Sequence, residues 1–441
     1  MRIGLAAMSG IRVCDPELMQ LGLTLPGFVE RGKQIASLPS LGLLTLAGMT
    51  PKRHDVTYFE VEGLSSTEAA SALPTGFDLV AVSSLSAQID EAYRLADFYR
   101  DRHVPVVMGG LHVSALPEEA LRHCDAVVAG EGEVSWQAML ADAEAGKLSP
   151  VYRPGGEEFD LNSAPMPAFE LLDIQKYNRL TVQTSRGCPH LCDFCASSVL
   201  LTKKYKQKPI SKVLAEVDRI CGIWKHPFIE LADDNSMVHR AYWKELLPQL
   251  ARRQVRWFAE TDLSVANDTQ LLRLMRQAGC AQVLIGFESP SREALHGIEV
   301  RRDWKWEKWS EYREAIQTVQ AHGISVNGCF ITGLDGHDPQ VFGEIVRFVE
   351  DSGLHEVQVT IQTAFPGTPL YERLKSESRL LNETDWRTCT LFDVNFKPRG
   401  MTHQELTKGF RDLVVTLYST ESTERRRQRF RAMLRQHLLD H

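Results

Sequence analysis

Three cysteines stand close together in Cys188-Pro-His-Leu-Cys192-Asp-Phe-Cys195, a C-x3-C-x2-C spacing within a 441-residue chain that holds nine cysteines. An odd number of thiols scattered through a long chain argues against a disulfide framework and for thiols that are buried, metal-bound or catalytic. Three thiolates so near in sequence suit a metal. A structural zinc would want a fourth ligand, usually announced by a second CxxC or HxxxH at modest separation; none is present, and His190 lies inside the loop. Three cysteines suit a cubane iron–sulfur cluster instead, with one iron left without a protein ligand and open to a substrate or cofactor. The spacing favours iron–sulfur over zinc.

A loop of this kind needs rigid elements beneath it. From Leu180 onward, strands are predicted at Leu180–Thr184, Phe228–Ala232, Arg256–Glu260, Gln282–Gly286, Ser325–Ile331 and Glu356–Ile361. Helical patterns separate them at Ser211–Ile220, Tyr242–Arg252, Asn267–Gln277, Trp309–His322 and Gln340–Ser352. Six βα units fall two short of a closed eight-stranded barrel, which predicts an open-sided, TIM-like (βα)6 barrel with its chemistry at the strand C-termini, where the cysteine loop falls. Upstream, strands at Arg2–Ala6, Val56–Glu60, Leu79–Ser84, Val104–Met108 and Ala126–Ala129 alternate with helices at Leu41–Met49, Asp90–Arg102 and Pro117–His123. That rhythm predicts an α/β, doubly wound, Rossmann-like parallel sheet, whose ligands rest beyond the carboxyl ends of its strands. Three of those ends are small and expose backbone: Ser83-Ser84, Gly109-Gly110 and Gly130-Glu131-Gly132. They could cradle a planar or phosphate-bearing ligand, or simply make tight turns.

Pro150, Gly155-Gly156, Pro165 and Pro167 break helices and ladders alike and mark a linker. The expected division is therefore a Rossmann-like domain over 1–150, a linker over 151–179, the partial barrel over 180–385 and a short helical C-terminal tail over 386–441. The tail ends in a helix-compatible run, Glu424–Leu439, that carries Arg425, Arg426, Arg427, Arg429, Arg431 and Arg435. It reads either as a solvated or docking helix face or as a contact for an acidic partner.

The stretch from Thr184 to Cys195 resembles the cluster loop of the radical S-adenosylmethionine (SAM) superfamily. The resemblance implies a [4Fe–4S] cluster held by Cys188, Cys192 and Cys195, SAM chelated on the fourth iron, and Phe194 near the adenine. Asp233-Asp234-Asn235 falls where the family usually has a Gly-Gly-Glu-like segment for the SAM amino group. Glu260 and Glu288-Ser289 fall where it contacts the SAM carboxylate side or the ribose hydroxyls. Gly333, in the run Gly328–Leu334, resembles the glycine motif packed against the adenine, although His337 stands where that motif commonly has a glutamate. Ala364–Tyr371 looks like the PGT turn of the subgroup with an N-terminal cobalamin-binding-type domain. Leu38–Leu44 and Met108–Glu133 resemble that domain itself, which makes Ser83, Ser84, Gly109, Gly110, Gly130 and Glu131 candidate cobalamin-binding positions. The Asp-x-His-x-x-Gly ligand motif of other cobalamin proteins is absent, since no histidine precedes His54; most members of the subgroup also lack it.

Taken together, the resemblance implies a radical SAM enzyme that cleaves SAM reductively and uses cobalamin to methylate an unactivated carbon of a small molecule. A flavodoxin or ferredoxin would supply the electron. Two other readings stay open: a cobalamin-independent rearrangement or transfer of the 3-amino-3-carboxypropyl group to a soft acceptor such as arsenic, and a non-catalytic cobalamin or iron–sulfur sensor. Cys124, Cys221 and Cys280 read as small buried hydrophobes. Cys329 and Cys389 could accept a hydrogen atom or a soft substrate. With 50 basic against 57 acidic residues the chain carries a formal charge of −7, so no chain-wide field draws it to nucleic acid or anionic lipid. No stretch approaches a membrane span and the N-terminus forms no secretory segment, so a cytoplasmic location is expected.

Overall fold

The computed structural model describes residues 1–9, 13–15, 18, 38–64, 70–153, 155–200 and 204–439. Among them lie two six-stranded parallel sheets in succession. The first is built from β1 (Arg2–Met8), β2 (Asp55–Val61), β3 (Leu79–Ser83), β4 (Val106–Gly109), β5 (Ala126–Val128) and β6 (Val151–Tyr152). Its order is β2-β1-β3-β4-β5-β6, so the winding reverses between β1 and β3 and opens a crevice at their carboxyl ends. Both faces are covered, which is why its strands read as unbroken apolar runs. Along β1, Ile3, Leu5 and Ala7 pack with Leu43, Trp136 and Met139 on one side, while Ala6 and Met8 join Ile89, Tyr93 and Leu95 on the other.

Two elements go beyond the sequence pattern. Val151 and Tyr152 fall in the proline-bearing stretch read as a linker, yet they pair with Val127 and Val128 as an edge strand. The helix Gly132–Glu144 was hidden by its start, Gly130-Glu131-Gly132, where Gly130 has φ 84°. Conversely, the helix expected over Pro117–His123 is only Pro117–Ala120.

The second sheet holds β7 (Leu180–Val182), β10 (Phe228–Leu231), β11 (Arg256–Thr261), β12 (Cys280–Glu288), β13 (Ser325–Thr332) and β14 (Glu356–Ile361). They pair in strict sequence from β7 to β14 and the two end strands do not meet, so the barrel is open, as six βα units require. A two-stranded antiparallel ribbon, β8 (Ser185–Arg186) with β9 (Lys206–Gln207), follows β7. Period-two alternation sorts the two faces. Trp257, Val283, Phe287, Phe330 and Val359 are buried in the apolar core, while Thr181, Glu230, Gln282, Asn327 and Gln358 occupy the alternate, inward register.

The tail forms two helices, His403–Tyr418 and Thr420–Leu439; the first opens on a Thr402–Glu405 capping box. Much of the arginine run is spent inside the chain. Buried Arg426 donates to the Leu417 carbonyl at 2.8 Å and to the Ser422 hydroxyl at 2.9 Å, and Arg425 pairs with Glu350 at 2.9 Å. Of the two readings of the run, the docking face accounts for these residues. No helix among the described residues is long and apolar enough to cross a membrane.

Candidate active site

The cysteine loop leaves the C-terminal end of β7 and is gripped on every side. Gly187, at φ 89°, turns the chain from β8 into Cys188. Buried Asp233 accepts from the Thr184 amide at 2.7 Å, the Ser185 amide at 2.9 Å and the Ser236 hydroxyl at 3.0 Å, and also from the Thr184 hydroxyl. Asp234 accepts from the Gly187 amide at 2.8 Å and, through its other oxygen, from the Ser197 hydroxyl, so it brackets the loop at both ends. Inside the loop, His190 lies 3.1 Å from Asp262 and 3.3 Å from Glu299, and its ring sits tilted against Trp304 with centroids 4.4 Å apart. Asp193 is held by Arg373 at 2.9 Å, and its carbonyl accepts from the Leu370 amide. A strap over 298–300 pairs with 191–193: Asp193 N–H donates to the Ile298 carbonyl at 2.8 Å and Val300 N–H to the Leu191 carbonyl at 2.7 Å.

The thiols themselves fit an iron–sulfur cluster. Cys192 is buried and Cys188 and Cys195 are half-buried; none is in a disulfide. Burial pushes the Cys188 thiol up to about 11 and the Cys192 thiol well above its ordinary value, so thiolates here need a cation to compensate them. The Asn235 amide donates to Asp262 at 2.8 Å and lies 3.9 Å from the Cys188 sulfur, in place to hydrogen-bond a ligated sulfur.

Around the barrel mouth, the residues singled out by resemblance divide. Glu260, at the end of β11, is open to the barrel interior and has no hydrogen-bond partner among the described residues. Burial among protein atoms, reinforced by Glu230, Asp234, Asp233 and Glu288, pushes it up to about 8. Glu288 instead meets buried Lys305 at 2.6 Å, and the Lys305 ammonium also donates to the Gly286 carbonyl at 2.8 Å. Gly286 leaves room for that pair, since a Cβ there would sit 2.4 Å from the Glu288 oxygen. Ser289 is buried against His337 at 2.9 Å; His337 accepts from the Leu334 amide, and burial pushes it down to about 4. Gly333, at φ 86°, lies under Leu406 and Phe396 of the C-terminal part. Asp234 and Asn235 thus touch the cysteine loop and Glu260 faces the charge of Asp234, whereas Asp233, Ser289 and Gly333 are taken up by scaffolding contacts. Phe194 is half-buried against the core. Burial raises the half-buried Cys329 thiol, and it pushes buried Cys389, which accepts from Asn395 at 3.6 Å, up to about 12; both are poor nucleophiles as they stand.

A cavity of about 510 Å³ joins the two halves. Ser83, Ser84, Gly109, Gly110, Gly130 and Glu131 all line it from the first sheet, and Arg186, Ser197 and Asp234 line it from the cluster-loop side. Gly110 is required there: its φ is 115°, and a Cβ would come within 3.0 Å of the Ser84 carbonyl. Hydroxyls and bare backbone at parallel strand ends suit a phosphate-bearing tail, and apolar Leu41, Leu43 and Leu46 supply the wall. Among the described residues no histidine lines the cavity. The residues present fit cobalamin.

Sequence comparison matches residues 182–349 to the radical SAM superfamily and residues 36–140 to the B12 binding domain. A radical SAM domain thus follows a B12-binding domain. With that pair of domains, a [4Fe–4S] cluster, SAM and cobalamin are the cofactors. Residues 368–440 match a domain of unknown function, DUF4070. The chain is 27% identical over 403 residues to the bacteriochlorophyllide d C-12(1)-methyltransferase of Chlorobaculum tepidum, covering 89% of this chain and 85% of that protein. It is 27% identical to the hopanoid C-2 methylase of Rhodopseudomonas palustris, covering 89% and 73%. In fold it is similar to the radical SAM methyltransferase TsrM from Kitasatospora setae, solved with tryptophan and a SAM analogue, with TM-score 0.66, 15% identity and coverage of 86% and 76%.

Several residues that build this radical SAM site escaped the sequence reading: Arg186, His190 as a bridged side chain, Lys305 and Arg373. Their partners lie at irregular separations, from 17 residues for Lys305 and Glu288 to 180 for Arg373 and Asp193. No spacing rule points to such pairs.

Proposed function

We propose that this chain is a cobalamin-dependent radical SAM methyltransferase that acts on an unactivated carbon of a small molecule. The observation that carries the reading is the shared cavity, bounded on one side by the strand ends of a B12-binding domain and on the other by residues that bracket the cysteine loop. When bound, the cluster and SAM supply one-electron cleavage chemistry and cobalamin supplies a transferable methyl group. In this reading Cys188, Cys192 and Cys195 hold the cluster, and Phe194 lies beside the adenine. Asp234, Asn235 and Glu260 offer oxygens to an ammonium, while Ser83, Ser84 and the glycine turns hold the corrin's tail.

The barrel interior is also prepared for a polar guest. Both amide atoms of buried Asn327, with Thr181, Gln282 and Gln358 in the same inward register, leave polar atoms without partners. Such atoms are costly when bare, so a ligand or water that satisfies them is favoured. A small flavodoxin- or ferredoxin-type protein would deliver the electron, and the division at 1–150, 151–179, 180–385 and 386–441 belongs to the same reading.

The test is anaerobic reconstitution with iron, sulfide and hydroxocobalamin, followed by SAM and a reductant. A corrin spectrum together with 5′-deoxyadenosine supports the reading. Methylthioadenosine without a corrin would favour 3-amino-3-carboxypropyl transfer. An unreactive SAM and a spectrum unchanged in Cys192→Ala would overturn the cluster assignment.

A further inference from the structure

The loop that lines the cobalamin cavity and the loop that carries the cysteines are joined by a buried lattice of opposite charges. Across the β8–β9 ribbon, Arg186 pairs directly with Lys206, so two cations project side by side. Facing them are Glu131 and Glu133, from the turn that opens the helix Gly132–Glu144. The Arg186 guanidinium donates to Glu131 at 2.7 Å and to Glu133 at 2.7 Å, a fork that spans both acids, and also to the Gln183 side chain at 2.9 Å. The Lys206 ammonium donates to both Glu131 oxygens, at 3.0 and 2.8 Å, and the second of these also accepts the Phe159 amide at 2.8 Å. Every acceptor direction of Glu131 is therefore taken by protein, although its residue lines the cavity. Burial alone would raise the Glu131 carboxyl, but Lys206, Phe159 and Arg186 hold it below the ordinary carboxylate value.

What this lattice connects is as telling as its geometry. Arg186 is two residues before Cys188, and the intervening Gly187 amide is fixed by Asp234. Glu131 precedes the helix whose first residues, Gly132 and Glu133, line the cavity, and Gly130 N–H is fixed by the Ser114 hydroxyl at 2.8 Å. A rigid planar fork holds two separate carboxylates at fixed directions; a lysine ammonium, a point charge on a flexible stem, fixes neither.

We propose that Arg186 is a positioning residue, a latch that locks the cysteine loop to the Gly130–Glu133 loop so that occupancy of either cofactor site orders the other. The proposal rests on the two-cofactor reading above, and it makes a statement about this chain that either site alone can test. By linkage, the ordering must run in both directions.

The experiment is hydrogen–deuterium exchange on the full chain, with and without assembled cluster, and with and without hydroxocobalamin. In the wild type, cluster assembly slows exchange of the 130–136 amides by about tenfold, within the usual range of coupling between sites. In Arg186→Lys, which keeps the charge and loses the fork, and in Glu133→Gln, which keeps an acceptor and loses the charge, iron content stays at the wild-type level and the slowing falls below about twofold. Corrin loading likewise protects 186–197 in the wild type alone. Equal slowing in all three proteins, or none in the wild type, would overturn the latch. A wild type that takes up no corrin would sink the two-cofactor reading instead, while the cluster arm still decides the latch. Melting curves of both variants identify any that fail to fold, and the other then carries the comparison.

Discussion

Asp233 provides the sharpest separation between a scaffold and a ligand. Its resemblance-based role was to receive the SAM ammonium, yet its two oxygens already accept two backbone amides and two hydroxyls at the base of the cysteine loop. In Asp233→Ala the hydroxyls can turn away, but the Thr184 and Ser185 amides, on residues fully shielded from solvent, are stranded. A buried donor left unmade costs about 1–3 kcal/mol, so the pair costs roughly 2–6 kcal/mol. At about 2–4 °C per kcal/mol for a domain of this size, the melting temperature of the apoprotein falls by roughly 10 °C. Asp233→Asn keeps one acceptor oxygen for both amides, and the two hydroxyls must turn to accept from its NH2, so the loss is mainly charge assistance, about 1–2 kcal/mol. Thermal unfolding by circular dichroism, with iron content after reconstitution, reads both. Asp233→Ala should melt early and hold little iron, and Asp233→Asn should lie close to wild type. Unchanged melting and iron in Asp233→Ala, with a much raised KM for SAM, would mean that Asp233 serves the SAM ammonium and not the loop.

Three further outcomes follow from buried charge and backbone geometry. Lys305→Met leaves Glu288 as an uncompensated buried carboxylate and should cost about 3–5 kcal/mol in chemical denaturation, most of it recovered in Lys305→Met/Glu288→Gln. His337 is held neutral down to about 4 by burial, whereas the unfolded imidazole takes a proton near 6.5. Stability is therefore full above pH 7 and declines by up to about 3 kcal/mol as pH falls from 6.5 toward 4; His337→Gln should remove that component of the pH profile. Gly367 sits at φ 78° with its Cβ direction 3.0 Å from Ala115 and Leu200, so Gly367→Ala should lower stability by about 1–3 kcal/mol in the same assay.

How far the sequence discloses this molecule differs from element to element. The helix Leu41–Met49 and the strand Glu356–Ile361 were legible end to end, because Ser40 caps the one and alternating branched residues define the other. The six barrel strands and the cysteine loop were legible from apolar period and spacing. The helix Gly132–Glu144 was not, because its glycine-rich start serves a tight approach at the cavity rather than helix propensity. The cavity-lining turns were legible as small residues at strand ends, and all six of those positions line one space. The electrostatic frame was not. Arg186 and Glu131 are 55 residues apart, and Asp193 and Arg373 are 180 apart. Which acid meets which base is decided by how the two sheets come together, a tertiary fact that local pattern does not encode. The same holds for Glu288: a carboxylate after a strand looks available, and only the fold reveals the lysine already beside it.

In the proposed reading, one chain brings a SAM-cleaving cluster and cobalamin to opposite sides of one space. Mass spectrometry of the corrin, after reconstituted, cobalamin-loaded protein is reduced in the presence of SAM carrying a CD3 group, decides whether it does. Trideuteromethyl-cobalamin is expected with wild-type protein, accompanied by 5′-deoxyadenosine when the cluster is intact. Production of 5′-deoxyadenosine with no label ever reaching a bound corrin would contradict it.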